Sequence, residues 1–412
     1  MPEGLQAAAV APFPKTSLQD ESHMAISSSS ATFTRFFVPD AIREDFWSYV
    51  DEKLNEGMFK DPDDGQELAQ GFTSWEDFFE SSFPYGSYHK GEYLAFNFRI
   101  DQRKVPPIVL KKYVREAVRK HRDENEGKWP ARHEKIEIQE NVRSWLLSRA
   151  LFQPVACEVV WNTARKWLLV GTTSAKLLDV FLTHFEDMFH MYPVPLYHVH
   201  WALNLLPLDG RQKDHLGSMI TVQSPLAMDE GRFLGYEFLT WLWFFVEHHG
   251  GRIEIPGKVA ELHLGERFVL NKPGEGMERV VCTTQANSLH EARTGLRQGK
   301  MVHEIQLFLV VGDNEYTFTL DSALWTFKGL KTPRQARDSD QEDQDGEFLE
   351  KMFFLEEVFS VLDVLYTRFL SERLGPHWES EHLGLMIKWM EGGKPAGEEG
   401  PDTAAEADCA PF

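Results

Sequence analysis

Several features of common protein classes are missing from this chain. It has only three cysteines among 412 residues, Cys157, Cys282 and Cys409, and their spacing fits neither a metal site nor a redox pair. The longest apolar run, FLTWLWFFV at 238–246, has nine residues, whereas a membrane-spanning helix needs about 20. No charged and then apolar signal segment opens the chain. We therefore expect a protein of the reducing cytoplasm with no membrane span.

Catalytic motifs are also scarce. No G-x-S-x-G segment or Cys–His arrangement supports nucleophilic catalysis. Carboxylates around a predicted hairpin leave a metal-dependent DNA nuclease as an alternative, and they are Glu304, Asp313, Glu315 and Asp321. The lysine that usually shares a strand with such carboxylates is missing after Glu304, where Ile305 and Gln306 follow. We therefore expect no enzyme activity, no metal site and no cofactor.

Positive charge is concentrated in one segment of an acidic chain. The formal net charge is −21, yet residues 99–149 hold fourteen Lys or Arg against eight Asp or Glu. The acidic total argues against wholesale coating of nucleic acid. A local patch still acts, because salt screens exposed charges over roughly 10 Å at about 0.1 M. A phosphate-binding surface and an ordinary solvated helix face both explain such a segment.

Two amphipathic helices are predicted inside this basic segment. The first runs from Pro106–Pro107 to about Asp123, and the second from about Glu134 to Phe152. Steps of four, four and three residues put four cations on one face of the first helix, namely Lys111, Arg115, Arg119 and Arg122. Apolar stripes are predicted to be buried, formed by Leu110, Val114, Ala117 and Val118 and by Ile138, Val142, Trp145 and Leu146.

The order of predicted elements favours an α+β architecture. Strand, helix, strand, strand and helix follow one another loosely in both halves. The predicted parts are a disordered tail at 1–30, a half at 31–215 with the basic helices, a half at 216–385 with a long final helix, and a disordered acidic tail at 386–412.

A Trp- and Phe-rich helix from Gly231 to Glu247 is apolar on nearly all sides, which favours a core helix. If it were instead a docking surface, the protein would be an interaction scaffold.

Several short motifs follow one another along the chain. The basic turn FRIDQRKVP at 98–106 lies between a predicted strand and a predicted helix, and LLSRAL stands at 146–151. Further motifs follow in order: Trp161-Asn162, WLLV at 167–170, Ser174-Ala175-Lys176, YPVPL at 192–196, QGKMV at 298–302, LWTFKGL at 324–330 and the long helix after Phe348. Together they span about residues 31–375, and their order resembles that of the RdgC family of bacterial recombination-associated DNA-binding proteins, which has LLPRAF in place of LLSRAL.

The chain departs from the family pattern at three places. Ser148 replaces the family's proline, and Leu151 replaces a phenylalanine of a protruding helical finger near the DNA path. Thr283-Thr284-Gln285 stands where the family has Lys-Lys-Gln, so Gln285 keeps a polar contact group while two charges are lost. Phosphate affinity is therefore either weaker in this protein or carried more by residues 103–149.

The resemblance implies an RdgC-like fold of several subdomains, with two α/β halves joined by helices in a ring-forming homodimer. Duplex DNA would thread a positively lined hole without sequence preference, and binding would limit the access of a RecA-type recombinase to DNA. An acidic exterior fits such a ring, because only the inner surface has to be positive. The expected location is the cytoplasm, in association with the nucleoid.

The expected DNA contacts lie mainly on the basic segment. Cationic side chains there gain affinity by releasing counterions from phosphates, which gives binding without choice of sequence. One polar contact is expected from the second half of the chain. The predicted contact residues are Lys104, Lys111, Lys112, Arg115, Arg119, Lys120, Arg143, Arg149 and Gln285.

Overall fold

A computed structural model describes most of the chain. The described residues are 23–24, 26–39, 45–63, 66–196, 198–221, 233–272, 278–283, 288–323, 325–333 and 344–391. The chain divides into two compact units that are not consecutive halves. The smaller unit contains Met1–His23, Lys60–Gln70 and Arg99–Ala156, and the larger contains Met24–Phe59, Gly71–Phe98 and Cys157–Phe412.

Helices and strands are both abundant, as the α+β prediction requires. The strands are β1 (His23–Met24), β2 (Ser30–Phe37), β3 (Leu68–Thr73), β4 (His89–Lys90), β5 (Tyr93–Arg103), β6 (Phe152–Asn162), β7 (Trp167–Val170), β8 (Val194–Pro195), β9 (Arg252–Ile255), β10 (Lys258–Lys272), β11 (Glu278–Cys282), β12 (Met301–Val311), β13 (Asn314–Asp321) and β14 (Phe327–Lys331). The helices are α1 (Phe46–Glu56), α2 (Pro107–Glu124), α3 (Arg132–Leu147), α4 (Ala175–Phe189), α5 (His198–Leu205), α6 (Gly210–Thr221), α7 (Phe233–His249), α8 (Ser288–Arg297), α9 (Gln344–Arg373) and α10 (Leu383–Met390). Among the described residues, no helix is both long enough and apolar enough to cross a bilayer.

The strands form one sheet with the order β11-β10-β12-β13-β14-β2-β7-β6-β5-β3. The predicted hairpin of β12 and β13 is confirmed, with register partners from Glu304↔Asp321 to Val311↔Asn314. The long strand β10 is irregular near its middle, where its register with β12 shifts between Leu264 and Phe268. Gly265 lies at this shift, where an added Cβ would come within 2.7 Å of the Gln306 side chain. The glycine therefore marks a bulge rather than a strand end.

An aromatic core surrounds α9 in the larger unit. Its Phe359 ring lies 5.5 Å from Phe327 and 5.9 Å from Phe33, and its Tyr366 ring lies 5.1 Å from Phe238 of α7. The apolar side chains from Phe238 to Phe245 are at most 4% exposed. The prediction of a core helix in the Trp-rich segment is confirmed, and the alternative docking surface there is wrong because its aromatic rings are enclosed.

Ordered structure extends beyond the predicted inner boundaries of both tails. Before residue 31, Ile26 is fully buried, the Ser27 N–H donates to Glu158 Oε2 at 2.8 Å, and Lys351 Nζ donates to the Ser28 carbonyl at 2.9 Å. After residue 385, α10 continues to Met390, and Trp389 is 4% exposed. The rest of both predicted tails, residues 1–22 and 392–412, lies outside the described residues.

The segment between α4 and α7 contains two further helices, α5 and α6. Val199, Trp201 and Ala202 of α5 are buried, and the Trp201 ring lies 4.5 Å from that of Trp325. The helix α5 is short, and its buried residues alternate with histidines. Its apolar period is therefore too brief to be recognised in the sequence.

A close approach of two backbone segments makes Gly251 indispensable. Its φ is +69°, and an added Cβ would lie 2.0 Å from the Leu262 carbonyl oxygen. An alanine in the left-handed conformation costs about 1–2 kcal/mol. The Gly251→Ala variant also forces β10 to move, because Leu262 lies on that strand. We therefore expect Gly251→Ala to reduce the free energy of unfolding by more than Gly250→Ala does, since Gly250 has φ +71° but open space around its Cβ. Urea unfolding followed by circular dichroism measures both, and equal losses would contradict the close approach.

Candidate nucleic-acid interface

None of the residues of the helix α2 is buried: ten are exposed and eight are half-buried. Pro106 and Pro107 begin it, since proline suits the first turn of a helix. Its cationic row consists of Lys111, Arg115, Arg119 and Arg122. The first three are exposed, and none of them has a carboxylate within 4.0 Å among the described residues. This row therefore presents positive charge that the neighbouring described side chains do not neutralise.

Other cations of α2 have acidic partners one helical turn away. Lys112 Nζ lies 4.0 Å from Glu116, and Lys120 Nζ lies 3.8 Å from Glu124. All four side chains are more than half exposed, so water screens these pairs and each contributes little to stability. Lys112 and Lys120 remain accessible to a ligand, although their charge is partly compensated.

The helices α2 and α3 pack on each other through a thin apolar layer. The Tyr113 ring lies 5.4 Å from that of Trp145, and His121 Nε2 lies 3.8 Å from Glu134. The predicted stripes are only half-buried, and Trp145 is 44% exposed. The prediction that these stripes are buried is therefore wrong for Trp145, because two helices facing each other cover only a narrow strip of each.

The predicted contact residues of the basic segment are all exposed and all belong to the smaller unit. Arg149, just after α3, places its guanidinium carbon 4.2 Å from the Trp145 ring centroid. Lys104 and Arg143 have no ion pair with another described residue. Gln285 lies outside the described residues. The role of the whole set in DNA binding stays a prediction.

Two further basic residues of the segment have structural roles. Arg99 Nε and Nη2 donate to the two carboxylate oxygens of Asp101 at 2.7 Å each, and both residues are buried. Arg103 is half-buried, with its guanidinium carbon 4.4 Å from the Phe152 ring centroid. Counting charges along the sequence therefore overestimates the number that can meet a ligand.

A second polar cluster lies on the sheet of the larger unit. Ligand atoms of His303, Glu304 and Asp321 are within 4.8 Å of one another, the spacing expected of groups that could hold a metal ion. The register partners Glu304 and Asp321 are brought together by the hairpin, while Asp313 and Glu315 are not part of the cluster. The structure thus assembles two of the four carboxylates considered for a nuclease.

Three cations occupy the surroundings of these carboxylates. Lys328 Nζ lies 2.9 Å from Glu304 and 3.4 Å from Asp321, while Arg267 and Arg279 approach Glu304 at 3.4 and 3.5 Å. Burial acts to raise the pKa of Glu304, but the Lys328 hydrogen bond and the nearby positive charges outweigh it, so the pKa is lowered. The strand of Glu304 carries no lysine after it, as predicted, and Lys328 comes instead from β14, where it pairs with Thr319 of β13.

A pair of helices with uncompensated surface cations defines a class of surface suited to polyanions such as nucleic acid. Residues 42–204, which include both helices, match a family model with the description "Putative exonuclease, RdgC". The resemblance to the RdgC family is confirmed over this segment, which is about 40% of the 412 residues. No curated protein matches the chain.

The lowered pKa of Glu304 predicts a pH-dependent contribution to stability. Its ion pairs stabilise the folded state above the ordinary glutamate pKa of 4.5, and this stabilisation is lost as the pH falls through the lower folded-state pKa. We expect Glu304→Gln to lower the free energy of unfolding by about 1–3 kcal/mol at pH 7. The difference from the unsubstituted protein should shrink below pH ~4.

Urea unfolding at a series of pH values tests this expectation. Glu315→Gln is the matched control, because Glu315 is an exposed carboxylate of the same hairpin and has no ion pair with another described residue. A Glu304→Gln deficit that stays constant down to pH 3 would show that the carboxylate charge is not what stabilises this site.

Proposed function

We propose that the protein binds DNA without sequence preference, through the exposed cations of α2 and α3, and that it is not an enzyme. The observation that carries the proposal is the cationic row, whose first three members have no carboxylate within 4.0 Å in the described structure. Positive side chains gain affinity from phosphates mainly by releasing condensed counterions, a gain that is independent of base sequence. The RdgC family match supports the same class of ligand.

The finer expectations belong to the same proposal. The protein acts as a closed homodimer that encircles mainly double-stranded DNA, associates with the nucleoid and limits the access of a RecA-type recombinase. The net charge of −21 is compatible with this arrangement, because an acidic exterior keeps an assembly soluble while a local basic surface meets the DNA.

Charge reversal of the row tests DNA binding directly. We expect the triple variant Lys111→Glu, Arg115→Glu and Arg119→Glu to weaken binding to every duplex sequence alike. If each residue meets one phosphate, the slope of log affinity against log salt concentration should fall in magnitude by about 3, since each phosphate contact contributes about 0.9. Fluorescence anisotropy with two unrelated duplexes at several salt concentrations measures both effects.

A second triple variant controls for the change of net charge. Lys176, Lys213 and Lys388 are exposed on α4, α6 and α10, and none has an ion pair with another described residue. Their reversal to Glu changes the net charge by the same amount. If the two triple variants bind DNA equally well at the same salt concentration, the row is not the contact surface.

A metal-dependent nuclease is the second candidate, favoured by the His303, Glu304 and Asp321 group and by the wording of the family description. Against it, Lys328 bridges the two carboxylates and two arginines lie near Glu304, so a cation would have to compete with them. Under the DNA-binding proposal, linear duplex stays intact with Mg²⁺ or Mn²⁺. Cleavage that Glu304→Gln or Asp321→Asn abolishes would establish the nuclease instead.

A further inference from the structure

The turn between α2 and α3 carries an exposed indole ring. Trp129 is 68% exposed, although tryptophan is among the side chains that gain most from burial. The backbone of the turn is fixed by hydrogen bonds: the Gly127 N–H donates to the Arg122 carbonyl at 2.8 Å, and the Lys128 N–H donates to the Asn125 carbonyl at 2.9 Å. The ring is therefore held on an ordered turn.

The last residue of the cationic row of α2 lies next to this ring. Arg122, the last member of the row, has its guanidinium carbon 5.2 Å from the Trp129 ring centroid, which is within the range of a cation–π contact. Its Nη2 also donates to Asp123 Oδ1 at 3.3 Å. The exposed ring of Trp129 therefore lies at the C-terminal end of the cationic row.

This combination matches what a nucleic-acid strand with unpaired bases presents. Its phosphates meet cations, and an unpaired base can stack on an aromatic ring with little regard to its identity. Bases inside a duplex offer no such face, because each is already stacked between its neighbours. A row of cations alone would serve both kinds of DNA, while the indole adds affinity only where a base is free.

We propose that Trp129 is a stacking platform for an unpaired base of a DNA strand whose phosphates lie along the cationic row. This inference rests on the proposed DNA binding and deepens it by adding a second form of DNA that the row accepts besides the duplex: a strand with an unpaired base. Arg122 is then a positioning residue that holds the indole and neutralises the adjacent phosphate.

The test compares two ligands with one set of variants. Fluorescence anisotropy measures the affinity of the full chain for a twelve-nucleotide single strand and for a blunt duplex with G·C pairs at both ends, which open little. Trp129→Ala should weaken single-strand binding about 5- to 150-fold, the range of base–aromatic stacking, and leave duplex binding nearly unchanged. Trp129→Phe keeps an aromatic face and should restore most of the affinity.

A matched control and a direct probe of stacking complete the design. Trp47 is 46% exposed on α1, outside the smaller unit, so Trp47→Ala should bind both ligands like the unsubstituted protein. A 2-aminopurine base in the single strand should lose fluorescence on binding, through stacking on the indole, and this quenching should disappear in Trp129→Ala.

The possible outcomes distinguish failure of this inference from failure of the proposed DNA binding. If the unsubstituted protein binds neither ligand, the proposed function and the inference both fail. If it binds both and Trp129→Ala weakens both alike or neither, only the stacking platform is overturned. A change of mass in light scattering without a selective loss of single-strand affinity would mean that Trp129 contacts a second copy of the chain, which also overturns it.

Discussion

Repulsion between like charges on α2 is an unfavourable interaction that the rest of the smaller unit has to offset. Lys111, Arg115 and Arg119 follow one another at four-residue intervals without an acidic partner within 4.0 Å among the described residues. Like-charged pairs at this spacing destabilise a helix by about 0.2–0.5 kcal/mol each. Under the proposed function, a bound polyanion would relieve this repulsion, and the unfavourable charge pairs are the stability cost of that binding.

Carboxylates elsewhere in the smaller unit offset part of its positive charge. Glu116 and Glu124 partly offset Lys112 and Lys120, and Glu134 both approaches His121 and accepts a hydrogen bond from the Ala131 N–H at the start of α3. At the strand end before α2, the buried pair of Arg99 and Asp101 removes one positive charge from the balance. Uncompensated charge is thereby confined to one face of α2 and a few positions around α3.

The sequence predicts two kinds of element. The helices α2 and α3 and the hairpin of β12 and β13 have a regular apolar period, while α7 and α9 are long segments with apolar residues on most sides. Prediction from the sequence fails where burial depends on distant residues. The short helix α5 is buried by Trp325, more than one hundred residues later, and Trp145 stays exposed because α2 is too narrow a partner. The pairing of Glu304 with Lys328 arises from sheet register, which the spacing along the chain does not reveal.

Ser27 and Ser28, just before β2, form hydrogen bonds with two buried charged side chains. Glu158 receives hydrogen bonds from both the backbone and the side chain of Ser27, and burial lowers the pKa of Lys351 to about 8 while its ammonium donates to the Ser28 carbonyl. Proteolytic removal of the leading segment up to residue 30 would take away both Ser27 hydrogen bonds to Glu158 and leave Lys351 with its hydrogen bond to Thr332 Oγ1 at 3.1 Å. A hydrogen bond to a charged group contributes about 1.5–3 kcal/mol, so a protein cleaved there would lose stability even with α2 and α3 untouched.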